Sequence, residues 1–152
     1  MSDGARVISI RKAVLSDSDA ILTWRNHPET RKYFFDPALI DAESHRIWFS
    51  ASLKNPNRHI LVAEDENGLA VGIVRFDVQE MIAVVDIYLV PERRKQGLGV
   101  PMLKAAVDWL HENTNVKQVV ANVVHENRSS LRMFASAGFE TAVQQLTLDL
   151  NK

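Results

Sequence analysis

The residues of this chain best suited to chemistry lie between Pro91 and Gly99, where Pro-Glu-Arg-Arg-Lys-Gln-Gly-Leu-Gly separates an apolar run from an amphipathic one. A loop that wraps a diphosphate needs successive backbone N–H groups turned inward and glycines where a Cβ would block close approach. A helix N-terminus beyond it adds positive potential. Gly97 and Gly99 meet the steric need, a helix expected from Val100 supplies the dipole, and Arg93, Arg94 and Lys95 add cations. The segment lacks both the G-K-[ST] ending of a nucleotide-triphosphate loop and the third glycine of a dinucleotide fingerprint. Taken alone, it also reads as a strand-to-helix turn carrying a solvated basic run.

Other candidates cluster before this loop. Asp86 interrupts an apolar strand, and period-two alternation puts it on one face with Tyr88. A carboxylate there is costly to bury unpaired, so it faces either a cleft or a structural partner. Trp24-Arg25-Asn26-His27, Phe34-Phe35 and His45 through Phe49 gather polar and aromatic side chains in the first third of the chain. His45 shares a helical face with Trp48 and Phe49, a spacing that fits core packing as well as a substrate platform. His125 and Glu126 read as a solvated loop. Cysteine is absent, which removes disulfides, thiolate metal sites and a thiol nucleophile together.

A second segment turns the loop into something more specific. Arg94-x-x-Gly97-x-Gly99 after Pro91-Glu92 resembles motif A of the GNAT family of N-acetyltransferases. Asn127-Arg128-Ser129-Ser130 through Phe134 to Gly138-Phe139 is similar to that family's motif B. The order of elements matches over nearly the whole chain. The resemblance implies acetyl-coenzyme A as co-substrate, with no metal, and direct attack of an amine on the thioester. It places the pyrophosphate on Arg94, Lys95, Gln96, Gly97, Leu98 and Gly99. The pantetheine arm would lie against the main chain of Leu89 and Val90, where two central strands splay apart, with Asn127 and Ser130 facing the coenzyme. Asp86 would relay the amine's proton. Many members carry a tyrosine where this chain has Phe134, so Tyr88, another donor or water would protonate the thiolate, or the thiolate would leave unassisted. Acceptor residues would be Trp24, Arg25, Asn26, His45, Trp48 and Arg75. W-R-N, H-x-x-W-F and R-F-D at Arg75 to Asp77 together look like the subgroup that acetylates nucleotide-linked amino sugars. Ribosomal-type protein N-terminal acetyltransferases share much of the helix pattern. An acyl-coenzyme A-binding module without chemistry is the third reading.

The elements that must position these residues follow from periodicity. Val7 to Lys12 reads as a strand, and Ser16 as the N-cap of a short helix with Leu15 as its hydrophobic staple. Asn26 to Pro37 reads as a loop, and Asp41 as the cap of a second helix ending at Asn55-Pro56-Asn57. His59 to Glu64 and Ala70 to Asp77 make a hairpin around Asp65 to Gly68. Met81 to Val90 is apolar enough for a central strand covered on both faces. A helix follows the loop, then a strand over Gln118 to Val124, a helix opened by Asn127 or Ser129 and closed by Gly138, and a strand over Ala142 to Leu150.

The expectation is one α/β domain over residues 1–152: a GNAT-like mixed, mostly antiparallel sheet of six to seven strands flanked by four helices. Eighteen basic residues against nineteen acidic ones leave a net charge of −1, which argues against a nucleic-acid partner. No apolar stretch is long enough for a membrane span, and no secretory signal opens the chain, so a cytoplasmic protein acting on a small-molecule amine or nucleotide sugar is expected. Exposed edge strands of such sheets can pair two copies into a homodimer.

Overall fold

The computed structural model describes residues 7–34, 36–143 and 146–150. Five strands form one open sheet in sequence order: β1 (Ser9–Lys12), β2 (Arg58–Glu64), β3 (Ala70–Gln79), β4 (Ile82–Leu89) and β5 (Gln118–Ala121). β1 to β4 pair antiparallel, and β5 joins β4 in parallel. Helices α1 (Ser18–Asn26), α2 (Pro28–Arg31) and α3 (Ala42–Leu53) precede the hairpins, while α4 (Gly99–Asn113) and α5 (Arg128–Ser136) flank β5 in sequence.

Strand alternation divides the core into two layers. Leu61, Ala63, Val74, Phe76 and Val85 join Met102, Leu103, Ala106 and Leu110 of α4 in one buried cluster. Ile60, Val62 and Ile73 point the other way and pack with Ile21 of α1 and Phe49 of α3. The periodic stripe expected in α4 is therefore its buried face, with Val107 at the margin. A register shift at Ala63/Glu64 lets Val71 join the first cluster despite its odd number.

Several expectations are corrected. Among the described residues there are five strands and five helices, not six to seven and four. The additional helix is α2, a single turn inside the segment read as loop, started by Pro28 at its first position and His27 as its cap. Ser16 caps nothing: a 3-10 turn spans Leu15–Asp17, and Leu15 is exposed. Asp17 controls this entry instead, because its carboxylate accepts the Val14 N–H at 2.7 Å and both Arg11 η nitrogens at 2.9 Å. Ile82 and Val84 are exposed, so β4 is interior to the sheet but uncovered on one face at its start. The strand expected over Gln118 to Val124 stops at Ala121. The strand expected over Ala142 to Leu150 is not formed among the described residues of that segment, and Gln144 and Gln145 lie outside them. Its alternation encodes one apolar face, yet Leu146, Leu148 and Leu150 are exposed.

Other boundaries follow the sequence. Asp41 caps α3 by accepting the Ser44 N–H, Gly68 closes the first hairpin at φ 77°, and Gly138 ends α5 at φ 97°.

Candidate active site

The Pro91–Gly99 segment begins as a 3-10 turn (Pro91–Arg93) that consumes the Arg93 and Arg94 N–H groups on Val90 and Pro91 carbonyls. Beyond it, the backbone enters the left-handed region twice, at Lys95 (φ 63°) and Gly97 (φ 72°). Such alternation turns consecutive amides toward one side. The N–H groups of residues 95–100 bond no acceptor among the described residues, and α4 starts at Gly99 directly behind them. The loop is thus a main-chain donor cradle at a helix N-terminus.

Within the protein itself its glycines answer two further needs. A Cβ on Gly97 would meet nothing within 4 Å, so it is the positive φ that calls for glycine there. A Cβ on Gly99 would lie 2.8 Å from Met133 Sδ, so Gly99 lets α5 approach α4. The Leu98 side chain is buried in the core, anchoring the loop and leaving only its main chain to face a ligand. Arg93 is held by Asp65 at 3.0 Å and reaches Gln96 Oε1 at 3.3 Å, while Gln96 Nε2 donates to the Glu92 carbonyl. Arg94 and Lys95 form no ion pair among the described residues and remain the loop's available cations.

The strand leading into this loop has an open edge. β5 accompanies β4 only from Ile82 to Val85, so Asp86 to Leu89 has no strand partner on that side among the described residues. The Val90 N–H bonds the Val71 carbonyl at 2.8 Å, and its own carbonyl accepts from Arg93. Strand alternation then turns the Leu89 N–H and C=O toward the open edge. Of the two residues expected to meet the pantetheine arm, Leu89 presents free main-chain groups and Val90 is committed elsewhere. Beyond the gap, Asn127 caps α5, its Oδ1 accepting the Ser130 N–H at 3.1 Å. That bond holds the Asn127 side chain, and its amide NH2 has no hydrogen-bond partner among the described residues.

On the α1/α3 face, a pocket of about 360 Å³ opens beside the same strand. It brings together six of the residues singled out from sequence: Arg25, His45, Trp48, Arg75, Asp86 and Tyr88. Asp86 sits opposite Arg75 in the β3–β4 register and makes no hydrogen bond or ion pair among the described residues. The Tyr88 hydroxyl donates weakly to the Ile21 carbonyl at 3.5 Å, and burial, with Asp86 nearby, pushes the phenol well above its ordinary range. His45 stacks on Phe49 and shares a 3.3 Å bond with Ser18 through Nδ1. Burial lowers its pKa, so it stays neutral at neutral pH.

Trp24 and Asn26 are not brought into the pocket. Trp24 packs against the buried cluster under α1. Asn26 bonds Ile40 through both ends of its amide at 2.9 Å, fixing the chain that forms the pocket's far wall. Phe35 lies outside the described residues, whereas Phe34 meets Tyr88 edge-on and carries the Arg25 guanidinium 3.8 Å over its ring. Phe134 is in the core on the opposite sheet face, packed on Phe139. Sequence reasoning missed Ile21, Ile40, Ser44, Ile60 and Ile73 as walls; the four isoleucines read as core residues and Ser44 as part of a helix cap until α1, α3 and the sheet are brought together. It also missed Gly72, opposite Leu89, where a Cβ would lie 2.5 Å from both the Tyr88 carbonyl and Met102 Sδ.

A main-chain donor cradle, an open strand edge and a pocket thus all lie along one strand. The acetyltransferase (GNAT) domain profile matches residues 8–140, and the chain belongs to this family. It is an acetyl-coenzyme A-dependent N-acetyltransferase. YhfO of Bacillus subtilis (strain 168), an uncharacterised N-acetyltransferase, is 27% identical over 140 residues, covering 88% of this chain and 90% of that one. Acetyltransferase PseH of Campylobacter jejuni is 25% identical over 123 residues, 80% and 75% of the two chains. Among solved structures, spermidine N-acetyltransferase from Vibrio cholerae in complex with CoA and spermine superposes with a TM-score of 0.79 at 18% identity. It covers 86% of this chain and 79% of that one, a likeness of fold. No helix among the described residues is long and apolar enough to cross a membrane.

Proposed function

We propose that the enzyme moves acetyl from coenzyme A to the primary amine of a small molecule seated in the α1/α3 pocket, by direct attack on the thioester. The observation that carries this reading is the position of β4. Its Leu89 main chain faces the open edge that would receive the pantetheine arm, while the neighbouring Asp86 and Tyr88 side chains line the pocket. Thioester and amine would meet at the end of this strand, so most of the rate would come from alignment and from main-chain stabilisation of the oxyanion. Arg94, Lys95 and the amides of residues 95–100 would hold the pyrophosphate.

Asp86 is the candidate relay for the amine's proton, since its carboxylate lines the pocket and makes no hydrogen bond or ion pair among the described residues. Tyr88 is better suited to positioning than to acid catalysis. A phenol pushed above about 10 is a weaker acid than a thiol near 8.5 and has little tendency to protonate the thiolate. The leaving thiolate would depart unassisted or take its proton from water.

For the acceptor, the W-R-N, H-x-x-W-F and R-F-D segments support a nucleotide-linked amino sugar. Their Arg25, His45, Trp48 and Arg75 converge on one pocket, whose size suits the amino-sugar end of such a molecule. The test is thiol release from acetyl-coenzyme A with nucleotide-linked amino sugars beside a peptide bearing a free N-terminus. Turnover of the sugars with intersecting initial-velocity lines is the expected result. Parallel lines, which mark a covalent acetyl-enzyme, would sink direct attack, and turnover of the peptide alone would sink the sugar reading.

A further inference from the structure

Charge in the acceptor pocket is unevenly distributed. Two guanidiniums, Arg25 and Arg75, and a single carboxylate, Asp86, line it. Tyr88 and His45 add no charge at neutral pH, because burial opposes ionisation of both. Burial above all disfavours the Arg25 charge, the nearby Arg75 adds to that, and Asp86 offsets it. A guanidinium keeps its proton in a protein, so both remain cationic.

Both are also held in place with donors to spare. Arg25 sits 3.8 Å over the Phe34 ring and reaches the Asp36 carbonyl at 3.4 Å through Nη2, while its buried Nη1 has no hydrogen-bond partner among the described residues. Arg75 lies over Trp48, with Nε 3.2 Å from Asp77 Oδ2 but out of line for a hydrogen bond. Asp77 directs its other oxygen to Arg58 at 2.6 Å, so one carboxylate is shared between two guanidiniums. Desolvated, pre-oriented guanidinium donors are suited to an anion, above all a planar carboxylate or a phosphate.

We propose that the acceptor carries an anionic group, carboxylate or phosphate, bound between Arg25 and Arg75, with its amine directed past Asp86 toward the thioester. This rests on the acetyl-transfer reading above and narrows its substrate class. The same two cations would repel a polyamine, whose additional ammoniums have only Asp86 to meet. The pocket selects an amine of mixed charge and rejects a polycation.

Matched acceptor pairs test this and separate the two anion sources: glucosamine 1-phosphate against glucosamine for phosphate, L-leucine against L-leucinamide for carboxylate, with spermidine as the polycation. The anionic member of at least one pair is expected to show a kcat/KM about 10- to 100-fold above its neutral mate, the range of a charge-assisted contact. Arg25→Gln and Arg75→Gln should each collapse that ratio toward one while KM for acetyl-coenzyme A stays unchanged. Equal or lower kcat/KM for both anionic members, a ratio insensitive to both substitutions, or a preference for spermidine would overturn the proposal and leave acetyl transfer standing. Should no amine turn over, acetyl transfer fails instead. The subsite is then decided by titrating glucosamine 1-phosphate and leucine into protein saturated with coenzyme A, read by tryptophan fluorescence. Binding abolished in both variants supports it, and absence of binding refutes it.

Discussion

In the proposed mechanism, Gly97 and Asp86 are the residues where a single substitution is most informative. Gly97 adopts φ 72° with open space around its missing Cβ, so a substitution there strains the backbone without a clash. Gly97→Val should destabilise the protein by at least about 1–2 kcal/mol, the left-handed penalty for any side chain, to which the β-branch of valine adds. Its larger effect should be on the loop's amides: KM for acetyl-coenzyme A should rise at least tenfold, while Gly97→Asn retains more affinity. Unchanged affinity by calorimetry would refute the cradle. Asp86→Asn should lower kcat about 10²- to 10⁴-fold with KM for acetyl-coenzyme A intact, the range of a lost proton relay. Tyr88→Phe should keep kcat within about tenfold of wild type and leave the alkaline limb of the pH–rate profile in place, since its phenol is too weak an acid to protonate the thiolate. A larger loss, together with disappearance of that limb, would make Tyr88 the acid. The sequence made these residues visible because a glycine in a basic loop and a carboxylate in an apolar strand both violate their local pattern. It could not tell that Gly97 answers to a dihedral angle and Gly99 to Met133, because the second reason exists only once α4 and α5 meet.

Among the elements, β4 does the positioning, and its geometry is set from both sides. β5 ends at Ala121, which opens the edge beside Leu89, and β3 holds the other edge through the Val90–Val71 bond. The close approach on that side requires Gly72, whose missing Cβ would strike the Tyr88 carbonyl. Backbone cannot yield as a flexible side chain can, so Gly72→Ala should cost about 1–3 kcal/mol as overpacking. It should also raise KM for acetyl-coenzyme A, because Leu89 lies directly opposite. Chemical denaturation beside steady-state kinetics would check both, and a stability equal to wild type would refute the tight β3–β4 contact. The strands and long helices were legible because their periods are strong and their caps, Asp41 and Asn127, stand at the predicted boundaries. α2 was not, since one helical turn is too short to carry a period. The described residues between Ala142 and Leu150 show the converse: alternation alone does not make a strand, because strand preference is realised only through pairing and packing on neighbours.

Across the whole molecule, the pH dependence of stability runs through two histidines on different elements, one of which, the buried His45, also lines the α1/α3 pocket. His45, in the pocket wall, and His59, against Trp109, are both lowered in pKa chiefly by burial. The unfolded chain therefore binds more protons than the folded one as pH falls below about 7, and stability must fall with it. The contribution is fully present above the unfolded histidine value near 6.5 and is lost as pH drops from there toward the depressed folded values. The slope cannot exceed about 1.4 kcal/mol per pH unit for each histidine. A second loss should follow at lower pH, where Asp17, held down mainly by its bonds to Arg11, takes up its proton. The urea midpoint should thus be flat from pH 8 to 7, fall from 7 to 5, and fall again below about 4. His45→Gln retains a polar partner for Ser18 and removes one titration, so it should flatten the first descent and leave the second unchanged. Because His45 also lines the pocket, the same variant should alter KM for the acceptor without altering KM for acetyl-coenzyme A. A first descent of unaltered slope in that variant would place the titrating group elsewhere and break the link between acceptor site and stability.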